Sequence, residues 1–337
     1  TLRGPEGVGA PAALALPLGG ALAGVAFVSV EDRGPSERWL QRELRLEDDG
    51  ADLALRISAA RAGTALRRVL FEAQGLSETR SLMLLLAGGD CRPQQARAIR
   101  YDAAGQALEL VVFGPDLESV QSVEPLNPPL PEGGDPGGVT VVHVDSGVNY
   151  LLPEIAARLA RDESGRPLAL DLWDRDGRPF DGDTGRSPFF PIRHGTPVAS
   201  LLIREAPEIR LLPIRYPRPE MARMTEAVQA AMAAEARIVA LPMGSTKQSD
   251  WQPFAAAAAA APDILFIVSA GNDGRDIDVE PLYPARLALD NMIVVTSSDD
   301  FGRLAPGSNW GATSGDLMVP AESQEVIDYR GARGTAS

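Results

Sequence analysis

The chain predicts an α/β fold: a parallel sheet flanked by helices, preceded by a smaller β-rich domain. Three observations carry this. From residue 139 onwards, short apolar runs alternate with helical patterns. The first 123 residues read instead as strands joined by turn signals. Between the two lies a stretch rich in proline and glycine. Continuous apolar runs suit strands buried on both faces, and their alternation with helices specifies a parallel sheet. The expected domains are therefore 1–123, β-rich; 124–138, a linker; and 139–337, the α/β domain.

In the first domain, RELRLEDDGADLALRIS sets Leu44 and Leu46 on one face, then an Asp-Asp-Gly turn. Leu53, Leu55 and Ile57 follow at period two. That is a hairpin pattern. RAIRYDAAGQALELVVFG predicts a second hairpin. ALRRVLFEAQG and SLMLLLAGG are apolar runs ended by glycine, where strand and helix are not separable by period. A small sandwich is the expected form. Residues 8–30 carry no charge and are long enough to span a bilayer, but two prolines and four glycines break the run. A turn followed by a buried strand, Leu22 to Val30, is preferred to a membrane helix. Residues 124–138 hold five prolines and four glycines, which should form neither helix nor ladder and should be extended and exposed.

Composition excludes some functions. Thirty-two basic against 46 acidic residues leave a net charge of −14. Phosphate contacts need clustered Lys and Arg, so neither nucleic acid nor an anionic membrane is an expected partner. The one lysine is Lys247, read as codon bias. The one cysteine, Cys91, permits no intrachain disulfide. A bacterial secreted protein and a cytoplasmic one both fit. The first residue is Thr1, so a processed chain or a piece of a longer one is expected.

The α/β region reads in order. VTVVHVD is a strand and PEIAARLARD a short helix with proline in its first turn. HGTPVASLLIRE is a helix, IRLLPIR a strand and EMARMTEAVQAAMAAEA a helix. RIVALPM is a strand, WQPFAAAAAAAP a helix, and ILFIVSA and NMIVVTS are strands. In open parallel sheets, sites form outside the carboxyl ends of the strands. Attention therefore falls on polar residues just after each strand.

The first strand ends in Asp145-Ser146-Gly147. The chain has two histidines, His143 and His194. His143 lies two residues before Asp145 and points to the same side; a hydrogen-bonded, buried histidine is its favoured reading. His194 opens a helix after a long polar loop, where a carboxylate could orient it. Gly195 lets another backbone come close. A helix-capping role for His194 does not explain the Gly-Thr and small residues after it. ILFIVS runs into Ala270-Gly271-Asn272-Asp273, where an amide could donate to a developing oxyanion; a plain Gly-Asn turn is the commoner use.

Taken in order, VVHVDSGV, HGTPVAS, IVSAGND and the closing RGTAS resemble the subtilisin-like serine proteases, the subtilase family. IVALPMGS, YPA (283–285), SNWG (308–311) and LMVPA match further family segments in the right order. The resemblance covers roughly residues 138–337. It implies that Asp145 orients the imidazole, that His194 is general base and then general acid, and that Asn272 contributes to the oxyanion hole. It implies a substrate cleft at Met243, Gly244, Ser269, Ala270 and Gly271, with a primary pocket near 241–245 and 268–271 suited to an uncharged residue. It places the nucleophile after Gly334-Thr335, at the start of a buried helix.

That position holds Ala336. A methyl cannot attack a carbonyl, so this chain as written should be inactive. Ser337 is not expected to substitute, since one residue turns a helical side chain by about 100°. A natural pseudoprotease and a deliberate Ser-to-Ala change compete; retention of Asp145, His194 and Asn272 favours the second. The resemblance also implies a further C-terminal segment, the helix that begins at the nucleophile. The loop before His194 holds Asp171, Asp174, Asp176, Asp181 and Asp183, of which the last four form a candidate calcium set; a solvated acidic loop is the preferred reading, and no cofactor is required. The expected partners are a protein or peptide substrate and, in cis, the N-terminal domain, as a propeptide-like folding aid or a partner-binding domain. The rival to an endopeptidase is a pseudoprotease that holds peptides in an intact cleft. A further rival makes the β-rich domain the recognition module.

Overall fold

The computed structural model describes residues 15–16, 20–21, 26–33, 41–48, 53–76 and 80–336. The chain forms two units, Thr1–Leu126 and Asn127–Ser337.

In the first unit, β1 (Ala15–Leu16) pairs with β2 (Gly20–Ala21). The main sheet takes β3 (Ala26–Arg33), β4 (Gln41–Asp48), β5 (Leu53–Ala62), β6 (Ala65–Gly75), β7 (Ser81–Gly88), β8 (Pro93–Tyr101), β9 (Ala107–Phe113) and β10 (Val120–Pro125). Each strand pairs antiparallel with the one before it, so spatial order is chain order. Both expected hairpins form, as β4–β5 and β8–β9. The ambiguous runs are strands β6 and β7. Among the described residues the sandwich is not found: the strands β3 to β10 lie in one sheet, because short connections return each strand to its neighbour's edge. Period-two alternation turns Leu55, Ile57, Ala59, Val69 and Ala73 into a shared apolar cluster. The Asp49-Gly50 turn and most of the uncharged run 8–30 lie outside the described residues.

The expected linker is partly structured. Glu124 and Pro125 pair with Leu110 and Glu109 on β9, against the expectation that this stretch forms no ladder. Pro125 closes an edge strand, where a missing N–H is tolerated. Further on, Tyr150 Oη donates to Pro128 O at 2.6 Å and Arg161 Nη2 to Pro131 O at 2.9 Å. Asn127 is buried, and residues 132–135 are exposed.

The second unit is built on a seven-stranded parallel sheet of order β12-β13-β11-β14-β15-β16-β17. Its strands are β11 (Val139–Asp145), β12 (Leu170–Asp171), β13 (Ile209–Arg215), β14 (Ile238–Leu241), β15 (Leu265–Ser269), β16 (Met292–Ser298) and β17 (Leu317–Pro320). Every strand read from the sequence is present. Helices α1 (Pro153–Ala156), α2 (Gly195–Glu205), α3 (Met224–Ala233) and α4 (Gln252–Ala259) match the helical patterns. A hairpin of β18 (Gln324–Ile327) and β19 (Arg333–Ala336) follows.

Alternate residues of a strand serve opposite faces. On β13, Leu212 and Ile214 join the cluster of α3 and α4, with Val228, Trp251 and Phe254. Leu211 joins Ile155 of α1 and Ala199 of α2. Phe254 stacks edge-on to Phe266 at 5.4 Å and to Trp251 at 5.6 Å. Each such side chain contributes roughly 1.5–3 kcal/mol by leaving water. Among the described residues no helix is long and apolar enough to cross a membrane.

Candidate active site

Asp145 is the last residue of β11, the third strand of the seven, and is 2% exposed. His194 immediately precedes α2. Although it occupies the capping position, its side chain makes no cap hydrogen bond. Its Nδ1 lies 2.7 Å from Asp145 Oδ1 and 2.8 Å from Oδ2. The imidazole stays 51% exposed, so its other edge is free to face the cleft. The Asp145 hydrogen bond holds the His194 pKa above the ordinary histidine value, against the opposing effect of burial. This geometry fixes the tautomer: Nδ1 carries the proton, and Nε2 is left to accept one.

A hydroxyl and a buried carboxylate set where the ring stands. Ser146 Oγ accepts from His194 N at 3.2 Å and from Gly195 N at 2.9 Å, and donates to Asp181 Oδ1 at 2.7 Å. Asp181, fully buried, also accepts from Thr196 N at 2.9 Å and Thr196 Oγ1 at 2.5 Å. Burial pushes its carboxyl pKa up, and these donors oppose the shift. The strand carrying Asp145 and the helix following His194 are thus tied through one network. Gly195 permits the approach: a Cβ there would stand 1.9 Å from Gly147 O. The close backbone contact expected at Gly195 is therefore present.

The remaining site residues fall in two cavities that share Pro242. One, of about 560 Å³, holds Asp145 and His194 with Met243 and Gly244. The other, of about 620 Å³, holds Ser269, Gly271 and Asn272. Ala270 is buried beneath them. Asn272 is exposed, on a loop built by Asn309. Asn309 is fully buried; its Nδ2 donates to Ala270 O at 2.8 Å, while Oδ1 accepts from Asp273 N at 2.9 Å and Arg275 N at 3.1 Å. Gly271 has φ +95°, and a Cβ there would lie 2.6 Å from Asn309 Nδ2, so glycine is required beside Asn272. Ala336, expected at the start of a buried helix, instead ends the exposed strand β19, with its Cα paired to Gln324, and lines neither cavity. Ser337 lies outside the described residues.

The candidate calcium residues are dispersed. Asp171 and Asp174 accept from Arg215, Asp176 from Asn127 and Arg178, Asp181 from Ser146 and Thr196, and Asp183 from Gly185 N and Arg218. Among the described residues no three His, Cys, Asp or Glu side chains gather to hold one ion. Asp171, Asp181 and Asp183 are buried, so the loop is not the solvated acidic loop expected; its carboxylates are held by Arg215, Ser146, Thr196 and Arg218. The positioning roles of Asp181 and Asn309 were missed by sequence reasoning. The available signals were the hydroxyls Ser146 and Thr196, each placed one step from a backbone turn, and the asparagine of SNWG.

A model of the subtilase family matches residues 137–335. The chain belongs to the subtilase family. Among solved structures, this subtilase is similar to a lanthipeptide protease at 21% identity and TM-score 0.46, over 56% of this chain and 57% of that one. It is similar to a cold adapted subtilisin-like serine proteinase at 21% and 0.45, over 64% and 74% of the two chains. It is also similar to a chain of the subtilase cytotoxin SubAB at 21% and 0.46, over 60% and 72%. The match spans little more than half the length of the lanthipeptide protease chain. No curated protein sequence matches the chain.

Proposed function

We propose that the second unit is the catalytic domain of a serine endopeptidase that hydrolyses peptide bonds by acyl transfer. The observation that carries this is the two-oxygen grip of buried Asp145 on His194 Nδ1, with the far edge of the imidazole open to a cleft. In this reading a serine at position 336 attacks the scissile carbonyl while His194 Nε2 takes its proton. His194 then gives that proton to the leaving amine. Asp145 stays ionised and stabilises the imidazolium. Asn272 donates to the oxyanion, held in place by Asn309. Pro242, Met243 and Gly244 line the cleft beside His194 and would flank the substrate chain. No cofactor enters the reaction.

With alanine at position 336, acylation cannot begin. The retained Asp145, His194 and Asn272 support a protease held inactive by a Ser-to-Ala change. The same Ala336 is the specific observation that favours a second reading, a naturally inactive protein that binds peptides. The N-terminal unit would act in cis, as a propeptide-like inhibitor or a recognition domain, and the exposed residues 132–135 offer a processing site.

Intact mass followed over time decides between them, using Ala336→Ser protein expressed from its complete reading frame. Scission within residues 124–138 that disappears in the added His194→Ala background supports the protease. Folded protein that is never cut, and that cleaves no added casein, sinks it and leaves the peptide-binding reading.

A further inference from the structure

His143, the second histidine, is unused by the mechanism above, yet it sits against the same carboxylate. Its side chain is fully buried. Nε2 lies 3.1 Å from the Gly195 carbonyl and 3.7 Å from Asp145 Oδ2. A carbonyl oxygen can only accept, so the proton belongs on Nε2. Nδ1 is buried and has no hydrogen-bond partner among the described residues. Protonating it would bury an unsatisfied N–H and a charge together, which is far costlier than leaving a lone pair unmatched. The ring is therefore a neutral Nε2–H imidazole.

We propose that His143 is a positioning residue for the catalytic pair: its Nε2–H ties the Gly195 carbonyl, at the start of α2, to the strand ending in Asp145, and so sets the separation across which Asp145 holds His194. Gly195 is the residue next to His194, so a shift of its carbonyl carries the imidazole with it. Ser146 and Asp181 hold the backbone N–H groups of His194, Gly195 and Thr196; His143 holds the carbonyl side of the same turn. The groups acting electrostatically on His143 are Asp145 on its own strand and His194 across the turn. Its register partners, Pro213 on β13 and Ala240 on β14, carry no charge. Burial holds its pKa below the ordinary histidine value, so it stays neutral while His194 titrates.

The inference rests on Asp145 and His194 being the catalytic pair, but its test reads protonation and not turnover, so the two can fail separately. The chain has only two histidines, which makes the test clean. With ¹⁵N,¹³C-labelled histidine in the full chain, His143 should show the neutral Nε2–H signature from pH 5 to 8. An Nδ1–H tautomer, or an imidazolium forming in that interval, overturns the proposal. In His143→Leu, the titration of His194 should fall back towards the ordinary histidine value. In His143→Gln, whose amide N–H can reach the same carbonyl, it should stay near that of the unsubstituted chain. A folded His143→Leu protein whose His194 titrates unchanged or higher overturns the proposal, as does a glutamine variant displaced as far as the leucine one. If His143→Leu does not fold, the tautomer measurement and the glutamine variant decide.

Discussion

The two units use strands to opposite ends. In the N-terminal sheet every strand pairs with its chain neighbour, so residues close in space are close in sequence. What gathers there is apolar: a cavity of about 170 Å³ is lined by side chains such as Leu55, Phe71, Met83 and Phe113, with no titratable group among the described residues. In the parallel sheet, crossovers bring distant residues to one edge. Asp145 and His194 meet across 49 positions, and Asn309 reaches back 39 to Ala270. Antiparallel succession makes surface; parallel crossover makes convergence, and polar chemistry needs convergence.

The largest effect that tests this contrast is catalytic. In Ala336→Ser protein, Asp145→Asn should lower kcat about 10⁴-fold, because His194 then favours the wrong tautomer; peptide hydrolysis measures it. Arg215→Leu should follow. Arg215 is buried at the end of β13, donating to Asp171 at 3.0 Å and to Gly182 O at 2.6 Å. Leaving Asp171 without its cation should cost about 3–5 kcal/mol, read by urea unfolding of the second unit, with N-terminal signals unmoved. Asn272→Ala should reduce kcat about 10²–10³-fold with KM little changed, the loss known from a subtilisin. In the meander, Ile57→Val should cost only about 0.5–1.5 kcal/mol, should show in N-terminal unfolding, and should leave the His194 titration alone. If it moved that titration, the separation drawn between the units would be wrong.

The smallest effect is on pH. His194 must be neutral to take a proton. Its bond to Asp145 raises its pKa, so kcat/KM should fall on acidification at a pH above the ordinary histidine value. Weakening the pair should move that limb to lower pH, which a pH–rate profile in a constant-ionic-strength buffer would show.

Much of this was legible in the residues. VTVVHVD, IRLLPIR and ILFIVSA are too short for helices and too apolar for surface strands, so the parallel sheet follows from pattern alone. Asp145 and His194 drew attention because each sits at the end of a strand or the start of a helix, and the resemblance to the subtilases supplied their expected roles. Asp181 was not. It shares its loop with four other aspartates, and nothing local separates a carboxylate that binds Ser146 and Thr196 from one that binds solvent or an ion. His143 read correctly as a buried histidine, but its hold on Gly195 is a contact over 52 positions, which periodicity does not report. The single meander was hidden for a related reason. Alternation shows which face of a strand is apolar, and says nothing of whether a sheet later folds over itself.

The loop between Asp181 and His194 starts and ends inside one hydrogen-bond network. Asp181 is tied to Thr196, and just inside it Asp183 and Ile192 bridge the loop's own base, their backbones exchanging hydrogen bonds at 2.9 Å. Between them Phe189 is fully buried, so the loop is anchored within its span as well as at its root. Its exposed positions, Gly185, Arg186 and Phe190, can change in composition without moving the histidine they precede. Ile192 lines the cleft and Phe190 is exposed beside it in sequence. For an engineer these exposed positions, with Phe189 kept, are where substitution can retune which peptides are admitted, the reacting groups being inherited intact.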